Sequence, residues 1–311
     1  MRLAVFVIAV SAWAGELETA RDRQDRAALE KLATQQSSEY RGAIAYSYLA
    51  EVCEQLHDRG GVKGAAESGI RLAERAVALK PDVAEHYRVL GTLYGQIVPV
   101  NVLTGLSYGK KAQQAIAKAL ERDPKSALAY VSRGVGNYYV PSALGGGIDL
   151  AIRDFQKAIE LKPAQAAYYN SLGNVMARAG KIPEAQQAYQ KSAELDPANA
   201  AMAYQNLGIV LFQAGRAKEA VDPLRKASEL DPKKAQVWYL LGAALVGSME
   251  FKKEGDTMVP VLQPGTVEAY QKCIELDPNG SYGTQAKAGL EQLTAMGLGI
   301  STKVKSAKKK G

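Results

Sequence analysis

Apolar and polar residues recur along most of this chain with the period of an amphipathic helix, and the helices come in pairs. Segment 166–197 shows one such pair. One face of its first predicted helix carries, at i, i+3, i+4 and i+7, Tyr169, Leu172, Gly173 and Met176. After a break at 179–181, one face of the second helix carries, at i, i+4 and i+7, Ala185, Tyr189 and Ser192. The pattern therefore predicts a helix–turn–helix unit.

The predicted unit recurs, and each copy ends at a proline in a similar setting. The six closing residues are Pro81, Pro124, Pro163, Pro197, Pro232 and Pro278. They are 43, 39, 34, 35 and 46 residues apart. Proline suits the first turn of the following helix, where its missing N–H is not needed. A recurrence near 34 residues predicts an all-α solenoid, which functions by presenting a surface.

These units resemble the tetratricopeptide repeat over roughly residues 43–278. A large residue opens each unit: Tyr46, Tyr87, Tyr130, Tyr169, Tyr204 and Trp238. Four units keep the Leu-Gly pair of that family: Leu90-Gly91, Leu172-Gly173, Leu207-Gly208 and Leu241-Gly242. The resemblance implies a right-handed α-solenoid of about six units, at 43–81, 84–124, 127–163, 166–197, 200–232 and 235–278. We expect capping helices at 15–42 and 281–297 and a disordered basic tail at 298–311.

Four units exceed the standard length, and we expect the extra residues between the two helices of each unit. The expected insertions lie near His57–Gly64, near Val98–Ser107, at Pro141–Gly147 and at Ser248–Gly265. The last contains two short strand-like runs, which predict a small β-hairpin. The glycine-rich turn at 141–147 is either an anion site or a tight interhelical turn, and the absence of phosphate-loop spacing favours the turn.

The N-terminus has the pattern of a secretory signal peptide. Arg2 precedes the apolar run Leu3–Val10, and Ala12-Trp13-Ala14 offers a cleavage site. The alternatives are a short buried helix or an uncleaved anchor, but eight apolar residues fall short of the roughly 20 that span a bilayer. We therefore predict a signal peptide at 1–14 and an exported protein, periplasmic or secreted.

Charge gives little support to a nucleic-acid partner. The formal net charge is +7, but five lysines lie in the tail 301–311 and Arg2 belongs to the predicted signal. Without them, 33 basic residues face 32 acidic ones. We expect no nucleic-acid partner, and the lysine cluster is either a weak contact for an anionic surface or a solvating tail.

Candidate chemical groups are few. The two histidines, His57 and His86, have no further histidine or cysteine at metal-ligand spacing, and we expect them to be surface or capping residues. Cys53 and Cys273 fall at packed positions of the repeat, which favours free, buried thiols over a disulfide. No nucleophile–base pair is recognisable. We predict no catalytic residue, no metal and no cofactor.

In the repeat family, the first helix of each unit (helix A) lines a concave groove, which is the candidate site here. The predicted groove residues are Arg88, Gln96, Val131, Val135, Tyr138, Tyr139, Asn170, Asn174, Arg178, Gln205, Phe212 and Tyr239. The alternative for the aromatic members is packing against neighbouring helices or caps. A clamp for a peptide carboxylate is disfavoured, because Asn174 and Arg178 match it only in part and the paired lysines are missing.

The sequence thus predicts a non-enzymatic scaffold that binds a protein or peptide in the groove. Similarity to exported bacterial repeat proteins implies an envelope-associated complex. The alternative is a subunit of an envelope transport system that holds a small molecule or lipid in a cleft between Tyr138, Tyr139 and Phe212. The identity of the partner and the oligomeric state stay open at this point.

Overall fold

The computed structural model describes residues 15–21, 23–35, 38–100, 102–254 and 256–298. The predicted signal peptide and the basic tail beyond Leu298 lie outside the described residues. None of the described helices combines the length and apolar character needed to cross a membrane.

The secondary structure is a succession of helices interrupted by one hairpin. The helices are α1 (15–21), α2 (Arg26–Thr34), α3 (Glu39–Gln55), α4 (Arg59–Leu79), α5 (Ala84–Ile97), α6 (Val102–Arg122), α7 (Ala127–Tyr139), α8 (Ile148–Leu161), α9 (Ala166–Arg178), α10 (Ile182–Leu195), α11 (Ala201–Gln213), α12 (Ala217–Leu230), α13 (Ala235–Gly247), α14 (Thr266–Leu276) and α15 (Ser281–Ala295). The strands are β1 (Glu250–Glu254) and β2 (Thr257–Val261).

Two compact regions divide the chain between Pro163 and Ala164. The N-terminal region contains α1–α8, in which α3/α4, α5/α6 and α7/α8 form three helix pairs. The C-terminal region contains α9–α15, with the pairs α9/α10, α11/α12 and α13/α14 and with α15 packed on the last pair. The predicted all-α repeat of six helix pairs is confirmed.

Small residues set the distance between the two helices of a pair. A Cβ atom added at Gly91 would overlap Ile116, and one added at Gly173 would lie 2.6 Å from the ring of Tyr189. The glycine column of the sequence therefore marks close helix–helix contacts, in which the large side chain of helix B fills the space above the glycine.

Side chains at several helix starts satisfy the free backbone N–H groups. Asp58 accepts a hydrogen bond from Gly61 N at 2.8 Å at the start of α4, and Ser126 accepts one from Ala129 N at 3.3 Å at the start of α7. These caps fix where each helix begins within its repeat.

The expected position of the first two insertions was wrong. Helices α4 and α6 have 21 residues each, whereas α8, α10 and α12 have 14. Most residues of the two predicted turns, near His57–Gly64 and Val98–Ser107, therefore lie in helices. In α4 the physical reason is visible, because Asp58 caps the helix early and Val62, Ala65 and Ala66 continue its buried face.

The expected N-terminal cap also differs in detail. Residues 15–42 do not form one helix, since α1 ends before Gln24, which has a positive φ of 53°, and Asp25 then caps α2. The first helix of the array begins at Glu39, four residues before the predicted boundary. The cap is nevertheless well packed, with Leu17 and Leu29 fully buried in the core that α3 and α4 share.

The other two insertions lie where the sequence placed them. The turn at 141–147 contains a short 3₁₀ helix, Ser142–Leu144, and two glycines with positive φ, Gly145 and Gly147. The insertion after α13 forms the expected hairpin, in which Glu250 pairs with Val261 and Glu254 with Thr257.

Candidate peptide-binding surfaces

Helix α7 of repeat three carries an apolar stripe, which includes the predicted groove residues Val135 and Tyr139 together with Leu128. Leu128, Val135 and Tyr139 are 42%, 44% and 58% exposed. Their spacing of seven and four residues places them along one side of the helix. Val131 and Tyr138 are half-buried, and the Tyr138 ring meets that of Tyr139 edge-on at 4.9 Å. This stripe is the largest run of exposed apolar side chains on a described helix A.

Arg88, on α5, is held within its own region. Its guanidinium forms two hydrogen bonds to the carboxylate of Glu85, and its side chain is 16% exposed. Tyr40 donates to the same carboxylate at 3.3 Å, and burial raises the pKa of this phenol well above its ordinary value. Arg88 is therefore partnered within the protein.

Gln96 links two neighbouring helix A elements. Its Nε2 donates to the backbone carbonyl of Ser47 on α3 at 2.9 Å. Its Oε1 is buried and has no hydrogen-bond partner among the described residues. The side chain therefore serves the α3–α5 contact.

Amide side chains join α9, α11 and α13 in the C-terminal region. Asn206 Nδ2 donates to Asn170 at 3.2 Å and lies 3.4 Å from Asn174 Oδ1, while Tyr189 donates to Asn174 at 2.8 Å. Asn170 is buried and Asn174 is exposed. Asn174 is therefore held in one orientation with part of its amide facing solvent.

A second amide pair continues this surface. Gln205 is buried on α11 and donates to Gln236 of α13 at 3.1 Å. The bond explains the polar residue at a buried position, since a buried amide requires a partner.

The remaining predicted residues of the C-terminal region are dispersed. Tyr239 is half-buried between Tyr270 of α14 and Tyr282 of α15, with ring centroids 6.2 Å and 5.9 Å away. It packs on the C-terminal cap, which is the alternative that the sequence left open. Phe212 is half-buried on α11, and Arg178 is exposed at the end of α9.

Two polar features were not expected from the sequence. Asp154 is buried on α8 and is bound by Arg133 and Asn137 of α7 at 2.6–3.1 Å. His86 is also buried, with Nδ1 2.8 Å from the carbonyl of Ala76 in the last turn of α4. The only sequence signal for the Asp154 cluster is Arg133, which replaces the leucine of the Leu-Gly pair in repeat three.

An open cleft of about 650 Å³ runs beside α4 in the N-terminal region. Arg71, Arg75 and Glu74 line it together with Tyr46 and Leu72. The described residues hold no group of three or more His, Cys, Asp or Glu side chains arranged to bind a metal ion. Cys53 and Cys273 are free, buried thiols, and burial raises the pKa of Cys273 to about 11.

Comparison with known proteins agrees with the repeated helix pairs. The tetratricopeptide repeat family model matches residues 164–233. The small glutamine-rich tetratricopeptide repeat-containing protein 2 of Mycosarcoma maydis is 32% identical over 100 residues, which are 32% of this chain. That match spans only 27% of the fungal protein's length.

Solved structures are similar at the level of the fold. A chain of the APC/C hetero-tetramer Cut9–Hcn1 aligns with 88% of this chain and 48% of its own, at a TM-score of 0.52 and 15% identity. YrrB, described as a TPR protein with an unusual peptide-binding site, aligns at a TM-score of 0.48 and 21% identity over 70% of this chain and 97% of its own. The match to the tetratricopeptide repeat family at 164–233 covers two of the six helix pairs, α9/α10 and α11/α12.

Proposed function

We propose that this protein is an exported, non-enzymatic scaffold that binds a protein or peptide on its helix A surfaces, within an envelope-associated complex. The observation that supports it best is the apolar stripe on α7, formed by Leu128, Val135 and Tyr139. Repeat proteins of this kind use such surfaces for protein interaction.

The stripe has the character of a binding surface. A helix in a folded protein turns its large apolar residues to the core, yet α7 keeps three of them 42% to 58% exposed. Burying exposed apolar surface stabilises a complex by about 25 cal/mol per Å². Tyrosine is enriched among the residues that dominate interface energies, which makes Tyr139 the expected anchor.

Asn174 supplies the complementary polar chemistry in the C-terminal region. Its Oδ1 accepts from Tyr189, and this contact fixes the amide plane without consuming its donors. The oriented Nδ2 group can donate hydrogen bonds to the C=O groups of an extended peptide. The C-terminal surface therefore suits backbone recognition, whereas α7 suits apolar side chains.

A peptide-display library panned against the purified protein tests the proposal. We expect selected peptides to carry large apolar residues and to lose at least tenfold in affinity with Tyr139→Ala, about 1.4 kcal/mol. Met296→Ala is the matched control, because Met296 is 52% exposed but lies just after α15. Peptides that bind both variants equally would contradict a site on α7.

The same preparation distinguishes the small-molecule alternative. Native mass spectrometry should show the protein free of any co-purifying small molecule or lipid. A retained ligand that is lost in Tyr139→Ala would instead support the transport-subunit function.

Export is tested separately, because 1–14 lie outside the described residues. We expect the full chain, produced in a bacterium with an outer membrane, to appear in the periplasmic fraction with Gly15 as its N-terminal residue. A product that stays in the cytosol with an intact Met1 would contradict the export part of the proposal alone.

A further inference from the structure

The hairpin after α13 leaves one strand edge uncovered. Strand β1 pairs only with β2 in the described part of the chain. All five residues of β1 are exposed. An uncovered edge presents backbone N–H and C=O groups that can bind a further strand.

The position of Pro260 shows which residues of β1 have backbone N–H and C=O groups that point away from β2. It lies opposite Phe251 and has no N–H to donate. In a sheet, proline occupies positions whose N–H would point away from the neighbouring strand. Phe251 and Pro260 therefore form a non-hydrogen-bonded pair, so the N–H and C=O of Phe251 point away from β2. Because this direction repeats every second residue along a strand, the N–H and C=O of Lys253 also point away from β2.

One side of the hairpin carries two exposed apolar side chains, Phe251 and Met258, beside Lys253. Phe251 and Lys253 share one face of β1, and Met258 lies opposite Lys253 on β2. Phe251 is 56% exposed and Met258 is 61% exposed. Natural edge strands are usually protected by charge or proline. Four of the five residues of β1 are charged, so a partner strand must present complementary charges.

We propose that β1 pairs with β1 of a second copy of this chain, antiparallel and centred on Phe251, so that the two hairpins form a four-stranded sheet. This inference is independent of the helix A surfaces. In this register Phe251 lies opposite Phe251 of the partner subunit as a hydrogen-bonded pair. It uses the N–H and C=O groups that point outward from β1.

The charges of β1 are complementary to themselves in the same register. Glu250 lies opposite Lys252 of the partner subunit, and the two-fold axis repeats this pair. A register centred on Lys252 would also use the outward backbone groups of Phe251 and Lys253, but it would place Lys252 opposite its own copy and Glu250 opposite Glu254 of the partner subunit. Backbone direction allows both registers, and the charges favour the one centred on Phe251.

This self-complementarity is why a second copy is the proposed occupant. A two-fold interface requires that a surface match itself, and Glu-Phe-Lys does so around its central residue. Lys218 is the cation near Glu250 in the same chain, at 3.9 Å, and its side chain is 85% exposed, so the contact is weak. The interface is one short strand wide, so we expect a concentration-dependent dimer rather than a permanent one.

Disulfide trapping in the full-length protein tests the register. Paired residues in a hydrogen-bonded position have Cα atoms about 5.5 Å apart, within the range of a disulfide. Phe251→Cys should therefore form a covalent dimer under mild oxidation. In Lys252→Cys the two copies would be about 8 Å apart, and they should not cross-link.

Met258→Cys is the control for random collision, because it is as exposed as Phe251 but lies on β2. The native thiols Cys53 and Cys273 are buried and do not interfere. Cross-linking of Met258→Cys as fast as Phe251→Cys, or none in Phe251→Cys, would overturn the proposal.

Charge exchange tests the contact without a covalent bond. Glu250→Lys and Lys252→Glu each place like charges opposite one another twice, and we expect each to weaken dimerisation about tenfold in sedimentation equilibrium. The double variant restores opposite charges and should recover most of the affinity. A wild-type protein that is monomeric at all concentrations, or a double variant as weak as the singles, would refute the pairing.

Discussion

The buried polar cluster of repeat three allows a quantitative test of how this repeat is stabilised. Asp154 is 4% exposed and accepts hydrogen bonds from the guanidinium of Arg133 and from Asn137 Nδ2, the latter at 2.8 Å. In the next repeat along the sequence, the equivalent residues are apolar: Leu172, Met176 and Ala188. Repeat three thus replaces an apolar contact with a polar one at the same place.

Asp154→Ala should destabilise the N-terminal region by about 2–4 kcal/mol. The change leaves the Asn137 amide, 8% exposed, without its acceptor, which costs about 1–3 kcal/mol. The Arg133 side chain is 43% exposed and regains water, so its loss adds only about 1 kcal/mol. The range of the sum therefore lies about 1 kcal/mol lower than the roughly 3–5 kcal/mol for breaking a fully buried ion pair.

Replacing the whole cluster should restore stability. The triple variant Arg133→Leu/Asn137→Met/Asp154→Ala copies the apolar residues of the next repeat. We expect it to unfold within about 1 kcal/mol of the wild type, or to be more stable, because apolar replacements of buried ion pairs are often neutral or stabilising.

Urea unfolding and amide hydrogen exchange together measure these differences. Because a repeat protein can lose single repeats before it unfolds globally, exchange in α7 and α8 reports the local effect. A triple variant that is as unstable as Asp154→Ala would show that an unpaired buried amide is not the cause, and the reasoning would be refuted.

Three further predictions concern packing and ionisation. Gly173→Ala would place a methyl group 2.6 Å from the Tyr189 ring and should cost about 1–3 kcal/mol, whereas Gly136→Ala, with open space at that position, should gain about 0.5–1 kcal/mol in urea unfolding. Burial raises the pKa of Cys273 from 9.0 to about 11. Between about pH 9 and 11 the thiol therefore ionises in the unfolded chain before it ionises in the folded one. The stabilising contribution of the buried neutral thiol is complete below pH 9 and is lost as the pH rises through this range. Cys273→Ala should remove that part of the alkaline destabilisation, and an unchanged pH profile would contradict it. Gln96→Met keeps the shape of the side chain and removes its unpaired oxygen. The free energy of unfolding should therefore be unchanged or rise by about 1 kcal/mol. A thermal unfolding midpoint lowered by several degrees would show instead that the hydrogen bond to the Ser47 carbonyl on α3 dominates.

The repeat was predictable because its signals are local. The prolines, the glycine column and the apolar period each depend on contacts within one helix pair, as Gly173 beneath Tyr189 shows. The hairpin was predictable for the same reason, since its two strand-like segments lie on either side of a short turn. The fold therefore follows from patterns that need no knowledge of distant parts of the chain.

The candidate surface was harder to predict, because exposure depends on neighbouring repeats. Position within the repeat placed Tyr139 and Gln205 in the same class, but Tyr139 is exposed while Gln205 is buried against Gln236. Arg88 and Tyr239 were likewise assigned to a groove, and the structure shows partners for both in adjacent helices. Sequence position identifies helix A, and side-chain contacts decide which of its residues stay accessible.

The long helices α4 and α6 show how such an array tolerates growth. Each exceeds the 14-residue helices by seven residues. Seven residues turn an α-helix through about 700°, only some 20° short of two full revolutions. The buried side of α4 consequently runs unbroken from Val62 to Ala76. A lengthening by five residues would rotate that side toward solvent, so helix phase limits the lengths by which a helix of this protein can change.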